Sequence, residues 1–147
     1  MSDDTCPLPT DLPDDQDAMV RRMLSARRIA VVGLSDDPTR PSHDVARYLQ
    51  SVGKEIIPVN PNHQKVLGLK CYPSLEAAPG PIEVADVFRR PEFCPGVIRD
   101  AVAAGVKGVW LQSGIISPEA QCLAAQWEID FVQDRCMKVE HIFHGGR

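Results

Sequence analysis

The sequence predicts an α/β protein built on a doubly wound parallel sheet. Short apolar runs alternate with amphipathic stretches, and five of those runs have the length and composition of buried strands. Helical connections between strands that run the same way cover both faces of a sheet. The expected form is therefore a three-layer α/β/α sandwich of about five strands, in the order 3-2-1-4-5.

The elements follow in turn. Met1 to Asp15 carries Pro7, Pro9 and Pro13 among acids and has little to bury. Residues 1–16 are thus expected to form a flexible acidic leader ahead of one domain over 17–147. Asp17–Ala26 places Met19, Val20, Met23 and Leu24 at helical spacing. "RIAVVG" (Arg28–Gly33) reads as the first strand. "SHDVARYLQSVG" reads as a helix capped by Ser42, with Val45, Ala46, Leu49 and Val52 as its apolar face and Gly53 as its stop. "EIIPVN" (Glu55–Asn60) is the second strand, in which Pro58 points to an edge or irregular position. The next stretch holds a short extended pair and a helical turn at Ser74–Ala78. "EVADVF" (Glu83–Phe88) is the third strand, followed by a helix that Gly105 ends. "KGVWLQ" (Lys107–Gln112) is the fourth. A helix follows with Ser117 as cap and Pro118 at its first position, then "IDFVQD" (Ile129–Asp134) as the fifth strand.

At 147 residues, 44% hydrophobic and 24% charged, the chain suits one ordinary globular domain. Its net charge of −4 is uneven, because six aspartates and no Lys or Arg fall in the first seventeen residues. Setting those six aside leaves +2. A faintly basic domain without a Lys/Arg stripe fits one small anionic ligand and argues against nucleic acid. No stretch approaches the ~18 consecutive apolar residues of a membrane span, and the N-terminus lacks a secretory pattern. Five scattered cysteines without a C-x-x-C pair argue against a zinc ribbon or a disulfide framework, and a cytoplasmic location is expected.

Ligands of doubly wound sheets bind at the carboxyl ends of the strands, where the strand order reverses. In "VVGLSDDPTRPSHDVARYL" the first strand ends at Gly33, but the later glycines of G-x-G-x-x-G are missing. Gly33 allows a tight turn and Ser35 offers a hydroxyl to a phosphate oxygen. Arg40 brings a planar charged fork, and the helix near Ser42 brings free amides and a positive dipole end. After the second strand, "PVNPNHQ" holds Asn60 and His63 where a classical NAD site keeps a carboxylate. Such an end tolerates a ribose phosphate. Arg89 and Arg90 fall just past the third strand, and Gln112, Ser113 and Gly114 past the fourth. Trp110 reads as core. A ligand with several phosphates, one of them near a ribose, fits this rim better than NAD. NADP, coenzyme A (CoA) and other phosphorylated nucleotides all meet that description.

The blocks "AVVGLSDDPTRPSHDVARYL", "IIPVNP", "VLGLKCYPSL", "VADVFRR", "GVWLQSGI" and "VQDRCMKVEH" closely resemble the stand-alone bacterial CoA-binding proteins. That family is related to the CoA-binding domain of the succinyl-CoA synthetase alpha subunit. The similarity runs in order from about Arg21 to His141. It implies a Rossmann-like fold that binds CoA or an acyl-CoA. The site residues it implies are Gly33, Leu34, Ser35 and Arg40; Val59, Asn60 and His63; Phe88 and Arg89; and Gln112 and Gly114. The position of His63 holds a lysine in the synthetase pattern. The synthetase's second domain, which bears a phosphorylated histidine, has no counterpart in this sequence. The resemblance therefore implies binding, sensing or delivery without ligase chemistry, and no catalytic residue is assigned.

Two other readings remain open at this point, an NADP-binding or redox-sensing protein and a subunit that has lost its ligand. "DRCMKVEHIFHGG" clusters Asp134, Cys136, Glu140, His141 and His144. Cys136 is the first candidate for thiol exchange with CoA. His141 and His144 have helical spacing but no second ligand pair, so no metal site is assigned.

Overall fold

The computed structural model describes residues 16–144, so the leader expected over 1–16 lies, apart from Gln16, outside the described residues. Helix α1 spans Gln16–Leu24, strand β1 Arg28–Val32, α2 Pro41–Ser51 and β2 Glu55–Val59. A two-stranded hairpin follows, β3 (Lys65–Val66) with β4 (Leu69–Lys70), and then a turn through Ser74–Ala78. Strand β5 is Val84–Val87, a short 3-10 turn at Pro91–Phe93 leads into α3 (Cys94–Ala103), and β6 is Gly108–Leu111. The described chain closes with α4 (Pro118–Gln126), β7 (Asp130–Val132) and α5 (Met137–Phe143). The sequence suggested no element for α5.

Alternation along the strands sorts the apolar side chains into two layers, as a pleat of period two requires. Ala30 and Val32, Ile57 and Val59, Ala85 and Val87, and Val109 and Leu111 point to one face. There they meet Val97, Ile98 and Ala101 of α3 and Ala120 and Ala124 of α4. Ile29, Val31, Ile56, Val84, Trp110 and Val132 point to the other face, against Val20 and Met23 of α1, Val45 and Leu49 of α2, and Met137 of α5. Trp110 is core as expected; it is fully buried and its indole N–H donates to the Arg135 carbonyl at 2.8 Å.

The fold class is the expected one, a Rossmann-like parallel sheet between two helical layers. The strand order differs. The five parallel strands lie in the order β2-β1-β5-β6-β7, which is 2-1-3-4-5 rather than 3-2-1-4-5. Pro58 supplies the physical reason. Its carbonyl faces outward and accepts from Tyr72 N–H, while the next carbonyl, Val59, faces inward and accepts from Gly33 N–H. The missing N–H of Pro58 therefore falls on the outer edge of β2, where a further strand would need it. The third strand pairs instead with β1, in the register Ile29↔Val84 to Val32↔Val87.

Two smaller expectations are corrected. Ser42 does not cap α2, because Arg40 holds the N-cap position and Ser42 lies inside the helix. Cys71, Cys94 and Cys136 are free, but Cys122 is disulfide-bonded, although the scattered cysteines argued against a disulfide framework. Ser117 does cap α4, accepting from Ala120 N–H at 3.1 Å.

One acid sits inside this sandwich. Asp86 is fully buried in the middle of β5, in register with Val31 and Trp110, and neither carboxyl oxygen has a hydrogen-bond partner. Burial holds its carboxyl well above the usual range, in the neutral form. The unfolded chain releases that proton near 3.8. The contribution is thus fully present below that value and is lost as pH rises from there toward the raised folded value, by about 1.4 kcal/mol per pH unit. Asp86→Asn removes this dependence. Denaturant titrations at pH 5 and pH 7 are expected to show the variant gaining on the wild type as pH rises; parallel curves would contradict a neutral buried acid.

Candidate functional site

With β1 flanked by β2 on one side and β5 on the other, the strand order reverses between β1 and β5. A crevice opens at their carboxyl ends, the ligand position of such sheets. A cleft of about 640 Å³ lies there, lined by Gly33, Ser35, Arg40, Phe88, Arg89, Arg90 and Gln112 among the expected site residues. It is also lined by Pro41, Ser42, Asp44, Val45, Pro91, Ser113, Ile115 and Cys136.

The floor of the cleft is the row just past the paired strands. Gly33, Phe88 and Gln112 continue the β1, β5 and β6 ladders through Gly33 N–H to Val59 O, Phe88 N–H to Val32 O and Gln112 N–H to Val87 O. Gly33 has φ +87°, and a Cβ there would lie 2.6 Å from the Phe88 carbonyl oxygen. Only glycine permits that approach.

Side chains take over the ordering role of the missing glycines. Ser35 N–H donates to Ser42 Oγ at 3.0 Å, Asp37 N–H donates to Ser35 Oγ at 3.0 Å, and Thr39 donates to Asp37 Oδ1 through both its hydroxyl (2.7 Å) and its amide (2.9 Å). The Thr39 hydroxyl, then its amide, pull the Asp37 carboxyl below its usual range. Ser42, expected as a cap, thus serves as the acceptor that folds the loop over the cleft.

The helix end is poorer in amides than the sequence suggested. Pro41 has no N–H, and those of His43 and Asp44 bond back to Arg40 O. Positive charge at this end comes mainly from the Arg40 guanidinium, whose side chain is 70% exposed and 4.0 Å from Asp37. Arg89 crosses from the β5 end and stacks on the Phe93 ring, 4.5 Å from guanidinium carbon to ring centre. Arg90 adds a third charge. The one acid on the wall, Asp44, is offset by Lys138 at 2.9 Å. Val45, Phe88, Pro91 and Ile115 supply apolar wall. The arrangement can hold an anion at the β1–β5 end and a less polar group beside it.

Five expected site residues lie elsewhere. Leu34 is buried, and its carbonyl accepts from Asn60 Nδ2 at 3.0 Å; Asn60 Oδ1 in turn accepts from Asn62 N–H at 2.9 Å. Asn60 is thereby a clamp between the β1 loop and the end of β2. His63 faces Asp36, 3.7 Å away. Val59 lines a separate 70 Å³ pocket with Pro61 and Leu75, and Arg89 lines both that pocket and the main cleft. The Gly114 N–H donates to Asp134 Oδ1 at 2.7 Å, and its neighbours Ser113 and Ile115 reach the cleft instead. Val45 and Ile115 carried no signal, because an apolar residue reads as core. His141 is buried with Nδ1 2.7 Å from the Tyr48 hydroxyl, and His144 lies 3.6 Å from Glu140. Among the described residues no group of three or more His, Cys, Asp or Glu is arranged to hold a metal ion, and no helix is long and apolar enough to cross a membrane.

A Rossmann-like sheet with a cationic cleft at its switch point is the frame of a nucleotide-type binding protein. The comparisons narrow that class. The model of the CoA binding domain family matches residues 27–142, and the chain belongs to that family. The uncharacterized protein YneT of Bacillus subtilis (strain 168) is 42% identical over 116 residues, covering 79% of this chain and 86% of that protein. Acetate–CoA ligase [ADP-forming] II of Archaeoglobus fulgidus is 31% identical over 104 residues, 69% of this chain but 16% of the ligase. A solved hypothetical protein from Pyrococcus horikoshii OT3 superposes with a TM-score of 0.83 at 36% identity, covering 97% of this chain and 98% of that one.

The floor geometry makes a direct prediction. Gly33→Ala forces a left-handed alanine against the Phe88 carbonyl and is expected to cost about 1–3 kcal/mol in denaturant unfolding. Gly96→Ala, in α3 with open space around it, is expected to be neutral or stabilising by up to about 1 kcal/mol. Equal midpoints for Gly33→Ala and the wild type would contradict the close approach.

Proposed function

We propose that this protein binds coenzyme A or an acyl-CoA in the β1–β5 cleft, in a sensing or carrier role without ligase chemistry of its own. One observation carries the reading: Gly33, Ser35, Arg40, Phe88, Arg89, Arg90 and Gln112, from three separate loops, line one cleft in a chain of the CoA binding domain family. Its volume of about 640 Å³ falls within the range of small-molecule sites. The three arginines suit the phosphates, since guanidinium groups match phosphate oxygens with paired, charge-assisted hydrogen bonds. The apolar wall of Val45, Phe88 and Ile115 suits the remainder of the molecule.

The ligase similarity bears on the binding region alone, because the matched stretch is a small part of that enzyme.

Calorimetric titration with CoA, acetyl-CoA, dephospho-CoA, NADP and NAD tests the reading. CoA is expected to bind more tightly than dephospho-CoA and than either nicotinamide nucleotide. Arg40→Ala and Arg89→Ala are each expected to weaken CoA by roughly 1.5–3 kcal/mol. Preference for NADP, or unchanged CoA affinity in both variants, would overturn it.

A further inference from the structure

We infer that Cys136 is a thiol-exchange site that captures CoA as a mixed disulfide within the cleft; this rests on the CoA reading above. Cys136 lies on the cleft wall beside Gln112, Ser113 and Ile115, and it is half-buried. The other free thiols of the described residues are unsuited. Cys71 is buried with its thiol pushed up by that burial, and Cys94 is buried with its thiol pushed up to about 11. Neither lines the cleft.

The segment that carries Cys136 is fixed to β6 on both sides of it. Trp110 Nε1–H donates to Arg135 O at 2.8 Å, and Met137 N–H donates to Gln112 Oε1 at 3.0 Å. Asp134, two residues before Cys136, accepts from Gly114 N–H at 2.7 Å. Gln112 is only 4% exposed, so a buried amide is committed to holding the backbone next to Cys136. A thiol held in this way is positioned rather than swept over the surface.

The order of groups along the rim matches the order of groups along CoA. Arg40, Arg89 and Arg90 stand at the β1 and β5 ends, neutral Gln112 and Ser113 follow at β6, and Cys136 sits beside them, in a segment bonded to Trp110, Leu111 and Gln112. Neighbouring strands are about 4.8 Å apart, so the rim from β1 to β6, where the Cys136 segment is bonded, spans about 10 Å. That is a distance the extended pantetheine arm can cross from a phosphate-bound end to its sulfur.

The oxidant is CoA disulfide. The Cys136 thiolate attacks one sulfur of that disulfide, whose S–S bond breaks as the Cys136–S–S–CoA bond forms. The second CoA leaves as a thiolate and takes up the proton that Cys136 released. The number of disulfide bonds is unchanged, and a second thiol reverses the step.

The test is incubation of the reduced full chain with CoA disulfide, followed by intact mass and peptide mapping. One dithiothreitol-reversible CoA adduct on Cys136 is expected, and none at that peptide in Cys136→Ser. Glutathione disulfide, which lacks the nucleotide, is expected to react at least tenfold more slowly, and Arg89→Ala is expected to lose most of that advantage for CoA. Equal rates with the two disulfides, or an adduct confined to other cysteines, would overturn the inference. Wild-type calorimetry separates the two failures: binding of CoA without a Cys136 adduct sinks the exchange alone, whereas no binding sinks the reading beneath it as well.

Discussion

The ends of β1 and β5 meet where the bare α-carbon of Gly33 lies against the Phe88 carbonyl, and the cleft is built outward from that contact. On one side of it the chain turns at positive φ into the Ser35–Ser42 loop. On the other, Arg89 and Arg90 leave β5 before the turn into α3. A side chain at position 33 would push the two ends apart, and the arginines would no longer share a rim with Arg40. The contact exists because β5 is the neighbour of β1, and β5 is that neighbour because Pro58 leaves the outer edge of β2 short of a donor.

The loop after β1 shows how a nucleotide-type site can be shaped without a run of glycines. Glycine loops bring bare backbone amides to a phosphate. Here several amides are already satisfied, Ser35 N–H by Ser42, Asp37 N–H by Ser35 and Thr39 N–H by Asp37. Full charge for an anion is carried instead on side chains from two loops. Guanidinium groups reach further than amides and approach from the rim, which fits a ligand bearing phosphates at more than one place.

Much of the fold was legible in the sequence because its signals are local. Strand runs, the Ser117–Pro118 start of α4 and the edge character of Pro58 all follow from short-range chemistry. Strand order is not local; the expected 3-2-1-4-5 put a partner on both sides of the strand whose proline already argued against it. Serine at a helix start usually caps, but the Ser42 hydroxyl faces back to Ser35. Asn60 and His63 stand at the right strand end, but Asn60 is bonded to Leu34 and His63 faces Asp36. The side of a loop on which a side chain emerges is set by tertiary contacts that spacing does not encode. Asp86 carried a readable signal, an acid inside an apolar strand, and its unpaired burial is the least ordinary feature of the core.

The central claim is that CoA is held at the carboxyl ends of β1, β5 and β6 and nowhere else on the domain. Amide chemical-shift mapping during a CoA titration tests this most directly. The account predicts shifts at Gly33, Ser35, Phe88, Arg89 and Gln112, with Ala26, Glu83 and Lys107 around the small pocket at the opposite end of the sheet unmoved. Shifts centred on that opposite pocket, or none at saturating CoA, would contradict it.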